Sequence, residues 1–93
     1  MNASTLCDRQ GKPIQLTLYK SDRCSFCRLV MRVVDELDLP LNTRDTNDEP
    51  GARKELLDVG GKTQVPCLLI NGRPLYESSD IIDFLRTEVR ACS

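Results

Sequence analysis

Histidine is absent from this 93-residue chain, which removes Ser-His-Asp and Cys-His catalysis and every metal site that uses imidazole. Aromatic residues make up only 4%, too few to expect a platform for stacking nucleic-acid bases. A basic excess is also missing. Thirteen Lys and Arg face fourteen Asp and Glu, for a formal net charge of −1, so neither nucleic acid nor a membrane surface is an expected partner. No run approaches the roughly 18 apolar residues of a membrane span, and residues 1–11 lack the apolar core of a secretory leader. With 40% hydrophobic and 29% charged residues, the composition is that of one small folded domain and not of a disordered chain.

Five cysteines are present, at positions 7, 24, 27, 67 and 92. A secreted disulfide scaffold more often carries an even set. The chain is therefore read as cytoplasmic with its thiols mostly reduced, a setting in which Cys-x-x-Cys points to redox or metal chemistry. The other three cysteines form no second Cys-x-x-Cys, so a zinc knuckle is not expected. Cys7 and Cys92, near the termini, read as spare thiols, and Cys67, inside an apolar run, as packed core.

Residues 1–12 read as a loose polar tail and 13–93 as the domain. Ile14-Gln15-Leu16-Thr17-Leu18-Tyr19 alternates in strand period. Phe26, Leu29, Val30, Val33, Val34 and Leu37 recur at helical spacing and predict one buried stripe, ending before Pro40. Residues 41–45 predict a short strand. Thr46, Asn47 or Asp48 is the expected cap of a second helix, with Pro50 near its first turn and Gly60-Gly61 past its end. The apolar run 65–70 precedes Asn71-Gly72, a two-residue hairpin signal, and residues 73–76 return as an edge strand that tolerates Pro74. A last helix has Ser78 or Ser79 as its expected cap, with Ile81, Ile82, Leu85 and Val89 inside. The order β-α-β-α-β-β-α predicts an α/β, three-layer, thioredoxin-like fold, a four-stranded mixed sheet with helices on both faces.

Three features carry chemistry. Cys24-Ser25-Phe26-Cys27 lies where the first strand's loop enters a helix. Free N–H groups and the positive end of the helix stabilise a thiolate there, which makes Cys24 the natural nucleophile. Cys27, one turn on, is close enough to pair with it and is assigned the resolving role. The second feature is Thr63-Gln64-Val65-Pro66. A cis Val65-Pro66 bond would present polar backbone to a ligand, although a trans proline at a strand start is the commoner case. Third, the helix entry at Glu77-Ser78-Ser79-Asp80 offers N–H groups that could hold a carboxylate. Glutathione, with a carboxylate at one end and a thiol further along, would span from there to Cys24.

Together these stretches resemble glutaredoxin over about residues 14–90. Residues 18–27 are similar to its active-site entry, Gln64-Val65-Pro66 to its Thr-Val-Pro segment with a cis-proline, and Glu77-Ser78-Ser79-Asp80 to its γ-glutamyl clamp. Val65-Pro66 and Leu75-Tyr76-Glu77-Ser78 also resemble the N-terminal domain of glutathione S-transferases, whose following helical domain is not expected within 93 residues. The resemblance implies a glutathione-dependent thiol–disulfide oxidoreductase that reduces protein–glutathione mixed disulfides and protein disulfides through Cys24 and Cys27. It further implies that Lys20 pairs with the glycine-end carboxylate, and that Phe26, Gln64, Val65 and Pro66 line the cysteinyl part. Ser78 and Ser79 would bind the γ-glutamyl carboxylate, with Glu77 shaping that site. Ser25 stands where proline is usual, and some glutaredoxins with serine there bridge a [2Fe–2S] cluster between two subunits, which by resemblance would use Cys24. A monomer is expected unless such a cluster joins two copies. A thioredoxin-like carrier reduced by a flavoenzyme is the other alternative.

Overall fold

The alternating run at residues 16–20 is the axis of the molecule. The computed structural model describes residues 6–92. Two short strands, β1 (Leu6–Cys7) and β2 (Pro13–Ile14), precede β3 (Leu16–Lys20). Beyond them come α1 (Ser25–Leu37), β4 (Asn42–Asp45), α2 (Ala52–Gly60), β5 (Cys67–Ile70), β6 (Arg73–Leu75), α3 (Ser78–Thr87) and β7 (Arg90–Ala91). The main sheet has the order β4-β3-β5-β6. β3 runs parallel to β4 and antiparallel to β5, and β5 is antiparallel to β6. This is the mixed, thioredoxin-like sheet that the element order predicts.

Successive side chains of a strand point to opposite faces, and β3 uses both. Leu16 and Leu18 join Val30 and Val34 of α1, Leu68, and Ile81 and Leu85 of α3 in the larger core. Tyr19 turns the other way to meet Leu56 of α2 and Cys67. Each fully buried aliphatic side chain stabilises by roughly 1.5–3 kcal/mol, so the two cores clamp the sheet between α1/α3 and α2. The Tyr19 hydroxyl also donates to Glu55 at 2.6 Å, and Glu55 is gripped by the Arg44 guanidinium at 3.2 and 3.1 Å. Among the described residues, no helix is long and apolar enough to cross a membrane.

The buried stripe of α1 differs from the expected one. Cys27, Val30, Val33 and Val34 are buried, whereas Phe26, Leu29 and Leu37 are 59%, 46% and 39% exposed. The apolar positions of this helix cover a wider arc than one packed face can bury, and Cys27 takes the place assigned to Phe26. Asp38, in left-handed conformation at φ 53°, caps α1 two residues before Pro40 as expected.

The caps of the other helices also differ. Thr46, Asn47 and Asp48 do not cap α2; its N-cap is Gly51, at φ 84°, with no side-chain bond. Those residues lie in a separate turn ahead of the helix, where Asp45 Oδ1 accepts the N–H groups of Asn47 at 2.8 Å and Asp48 at 3.1 Å. Gly60 is the last residue of α2, and Gly61 alone lies past its end. Likewise Glu77, not a serine, is the N-cap of α3. At Asn71-Gly72 both φ angles are positive, 49° and 89°, as the two-residue hairpin requires.

The loose tail expected before residue 13 is corrected over the described part. Leu6 and Cys7 are each 5% exposed. They form the middle strand of a small sheet of order β2-β1-β7, and Leu6 enters the larger core. Cys7 and Cys92, expected as spare thiols, are joined in a disulfide. A two-residue strand carries no readable periodicity, and its disulfide partner lies 85 positions away, so neither feature has a local signature. Residues 1–5 of the expected tail lie outside the described residues.

Candidate functional site

Two polar turns place Cys24 at the mouth of α1. Its N–H donates to the Ser21 carbonyl oxygen at 3.1 Å, while Arg28 Nε donates to the Asp22 carbonyl oxygen at 3.1 Å. Cys24 is the N-cap residue, with extended backbone, and its Sγ accepts the Cys27 N–H at 3.3 Å. A sulfur in this position takes one of the helix's otherwise unpaired donors. The Cys24 thiol also faces the Val65 carbonyl oxygen at 3.8 Å. Val65-Pro66 is cis. The residues alone favour the commoner trans form; the resemblance implies the cis form that is observed.

The thiols of Cys24, Cys27 and Cys67 are free. Cys24 is partly exposed, Cys27 is 1% exposed, and Cys67 is fully buried in the α2-side core, as expected for Cys67. Burial pushes the Cys27 thiol up to about 12, with its hydrogen bond to Cys24 adding to the rise. Burial likewise raises Cys67. Among the described residues one chain thus offers a single accessible free thiol here. Iodoacetamide at neutral pH is expected to label Cys24 alone among the three, with Cys27 and Cys67 labelled only after unfolding. Peptide mass mapping checks this, and labelling of Cys67 in the folded protein would contradict its packing.

Tyr19 is also pushed up to about 12, by burial first and then by its bond to Glu55. Cys27 and Tyr19 therefore hold their protons more tightly folded than unfolded. The stability this confers is intact below the ordinary thiol value of 9.0 and is lost as pH climbs toward about 12. Urea midpoints at pH 7 and pH 11 should differ in that sense, and less so in Tyr19→Phe.

Beside the sulfur lies a groove of about 160 Å³, lined by Phe26, Gln64, Val65, Pro66, Tyr76, Glu77 and Ser78. Val65 belongs both to this groove and to the Cys24 contact, so the groove opens next to Cys24. Ser78 begins α3, and its first-turn N–H groups have no partner within the helix. Glu77 makes no side-chain capping bond to them. The structure thus brings together Cys24, Cys27, Phe26, Gln64, Val65, Pro66, Glu77 and Ser78. Ser79 is exposed in the first turn of α3 and does not line the groove.

Lys20 is elsewhere. Its ammonium is held by Asp22 at 2.8 Å and Asp45 at 3.2 Å, bonds that raise its proton affinity, Asp22 foremost. The carboxylates of Asp22, Asp45 and Asp48 lie within 4.8 Å of one another, and Lys20 answers that crowding. Asp45 is in turn held below the usual carboxylate range, chiefly by the Asn47 N–H. Lys20 lines a separate cavity of about 280 Å³ with Ser21, Asp22, Cys27 and Arg28. The expected contact with a ligand carboxylate is therefore not pre-formed, because carboxylates of the chain itself already occupy the lysine.

Tyr76, expected as the end of the edge strand and part of the Leu75-Tyr76-Glu77-Ser78 stretch that resembles the transferase domain, has no site role in the sequence reading, yet it lines the groove. The one signal for it is its place, an aromatic immediately before the Glu77-Ser78 helix entry.

Residues 18–91 match the family model described as glutathione S-transferase, N-terminal domain. A glutathione transferase Omega 3C from Trametes versicolor superposes with a TM-score of 0.65 at 22% identity, covering 77% of this chain and 32% of that one. A glutathione transferase from Bombyx mori has 30% identity and a TM-score of 0.61, covering 76% and 34%. A buckwheat glutaredoxin–glutathione complex has 21% identity and a TM-score of 0.61, covering 78% and 69%. No curated protein matches. The chain spans about a third of the length of these two transferases. The matched residues contain the thiol pair, the cis-proline and the whole groove, while β1, β2 and both disulfide cysteines fall outside them. The chain belongs to the glutathione S-transferase N-terminal domain family and has its thioredoxin fold.

Proposed function

We propose that this chain is a glutathione-dependent thiol–disulfide oxidoreductase with Cys24 as nucleophile. The observation that carries the reading is the position of Cys24 Sγ. It caps α1, 3.3 Å from the Cys27 nitrogen and 3.8 Å from the Val65 carbonyl oxygen, at the edge of the groove lined by Val65, Pro66 and Ser78.

In the first step the Cys24 thiolate attacks the glutathione sulfur of a protein–glutathione mixed disulfide. A Cys24–glutathione bond forms, and the protein thiolate leaves and takes up a proton. A second glutathione thiolate then attacks the glutathione sulfur of the adduct, releasing oxidised glutathione and restoring Cys24. With a protein disulfide as substrate, Cys27 attacks Cys24 Sγ within the mixed disulfide, the second substrate thiolate leaves, and two glutathiones reduce the resulting Cys24–Cys27 bond. The free N–H groups at Ser78 hold the γ-glutamyl carboxylate, Val65 pairs with the cysteinyl backbone, and Phe26 covers the open side.

The test is a trap. Cys27→Ser incubated with a glutathionylated peptide should accumulate one glutathione per chain, mapped to Cys24, with stoichiometric release of reduced peptide. No adduct, or an adduct at Cys67, would overturn the reading.

A further inference from the structure

Tyr76 stands between the groove and the end of α2, and three groups hold its ring. The hydroxyl donates to the Gly60 carbonyl oxygen at 2.8 Å. Lys62 Nζ lies over the ring, 4.3 Å from its centre. The ring also packs against the buried cluster of Tyr19, Leu56 and Cys67. Gly60 makes the approach possible, because a Cβ at that position would run into the Tyr76 hydroxyl.

The attachment matters because Tyr76 lies on a short connection between two regular elements. β6 ends at Leu75, its last residue in register with β5, and α3 begins at Ser78. Tyr76 and Glu77 are thus a two-residue bridge outside both sheet and helix. With Ser78 they line one side of the groove, facing Val65 and Pro66. A bridge that short takes its position from whatever anchors its side chains. The Glu77 carbonyl oxygen accepts the Ile81 N–H at 2.8 Å, but its side chain is exposed and makes no capping bond, which leaves Tyr76 as the side-chain anchor.

We infer that Tyr76 is a positioning residue for the groove, fixing Glu77 and Ser78 relative to Val65 through its bond to the Gly60 carbonyl. The inference rests on the proposed glutathione site for its consequence, but the anchoring itself is a property of the free protein. Preorganised walls spare a ligand the cost of ordering them. Losing the anchor is therefore expected to weaken glutathione binding about fivefold, the equilibrium worth of one net hydrogen bond.

Two variants break the same contact from opposite sides. Tyr76→Phe keeps the ring and removes the hydroxyl; Gly60→Ala keeps the hydroxyl and displaces it. Amide hydrogen exchange at Ile81, whose N–H donates to the Glu77 carbonyl oxygen at 2.8 Å, should speed up in both in the unliganded protein, with exchange in β3 unchanged. The KM for glutathione should rise about fivefold with little change in kcat, and the double variant should be no worse than either single one. Unchanged exchange at Ile81 in Tyr76→Phe would overturn the inference, as would single effects that multiply in the double variant. If wild type itself fails to bind glutathione, the functional reading falls, and the exchange comparison still decides whether Tyr76 is the anchor.

Discussion

Cys24→Ser should lower the rate of glutathione mixed-disulfide reduction at least about a thousandfold, equivalent to about 4 kcal/mol of barrier, while Cys27→Ser keeps most of that rate. The asymmetry comes from where the two sulfurs sit. Cys24 is partly exposed, at the helix mouth beside the groove, and Cys67 is fully buried. No other free thiol of the described chain can reach a substrate once Cys24 is removed, and a serine hydroxyl is not ionised near neutral pH. Cys27, 1% exposed and with its thiol pushed up to about 12, is poorly placed to compete with dissolved glutathione for the Cys24 adduct. When Cys24 is in a mixed disulfide, the hydrogen bond that helps raise Cys27 is gone but the burial remains, so internal resolution stays the slower branch. Reduction of a protein disulfide is the case that needs Cys27, and it should fall at least about tenfold in Cys27→Ser, because resolution inside the complex then has no attacking thiol. The measurement is a glutathione reductase-coupled assay with both substrate types on wild type and the two variants. Equal rates in all three on the mixed disulfide would remove Cys24 from the role given to it.

The parts of the fold that were legible in the sequence are those whose cause is local. Period-two alternation marks β3 and Asn71-Gly72 marks the hairpin. The Cys-x-x-Cys at a strand–helix junction marks Cys24 as the cap of α1, since the helix mouth supplies its donors whatever the rest of the chain does. The misreadings share a different cause. Phe26, Leu29 and Leu37 belong to a helix with more apolar residues than one face can bury, and only the packing of α3 and the sheet selects Cys27, Val30 and Val34. Thr46, Asn47 and Asp48 do not cap α2, because they lie in a separate turn closed on the Asp45 carboxylate by the N–H groups of Asn47 and Asp48, and the helix begins only after Gly51. Lys20 precedes the active-site loop in sequence, yet Asp45 comes to it from β4, its parallel neighbour, and claims the ammonium. The Gly60–Tyr76 contact joins residues 16 positions apart, and Cys7–Cys92 joins residues 85 apart. Such pairings are products of topology, and composition or spacing does not encode them.

Opening the Cys7–Cys92 disulfide should destabilise the folded chain by roughly 4 to 5 kcal/mol, the chain-entropy value for closing a loop of this size. The bond closes a sequence separation of 85 in a 93-residue chain, nearly the longest loop available, so the unfolded ensemble is constrained almost end to end. Domains of this kind have total stabilities of about 5–15 kcal/mol, which makes the tether a large fraction of the whole, and the midpoint of thermal unfolding should drop by on the order of 20 °C. Native contacts add to the effect. β1 and β7 are two residues each, too short to hold together unaided, and freeing them withdraws Leu6 from the larger core. Urea unfolding of Cys24→Ser/Cys27→Ser with and without dithiothreitol isolates the tether, and Cys7→Ser/Cys92→Ser should reproduce the reduced value and lose the reductant effect. The groove beside Cys24 should be unaltered below the new midpoint, since neither Cys7 nor Cys92 lines it. A reductant effect under about 1 kcal/mol would mean that the ends of the unfolded chain are already held together or that native strain offsets the gain. A large loss of glutathione binding in a still-folded Cys7→Ser/Cys92→Ser would show instead that the small sheet at the C-terminal end of α3 fixes the groove at its N-terminal end.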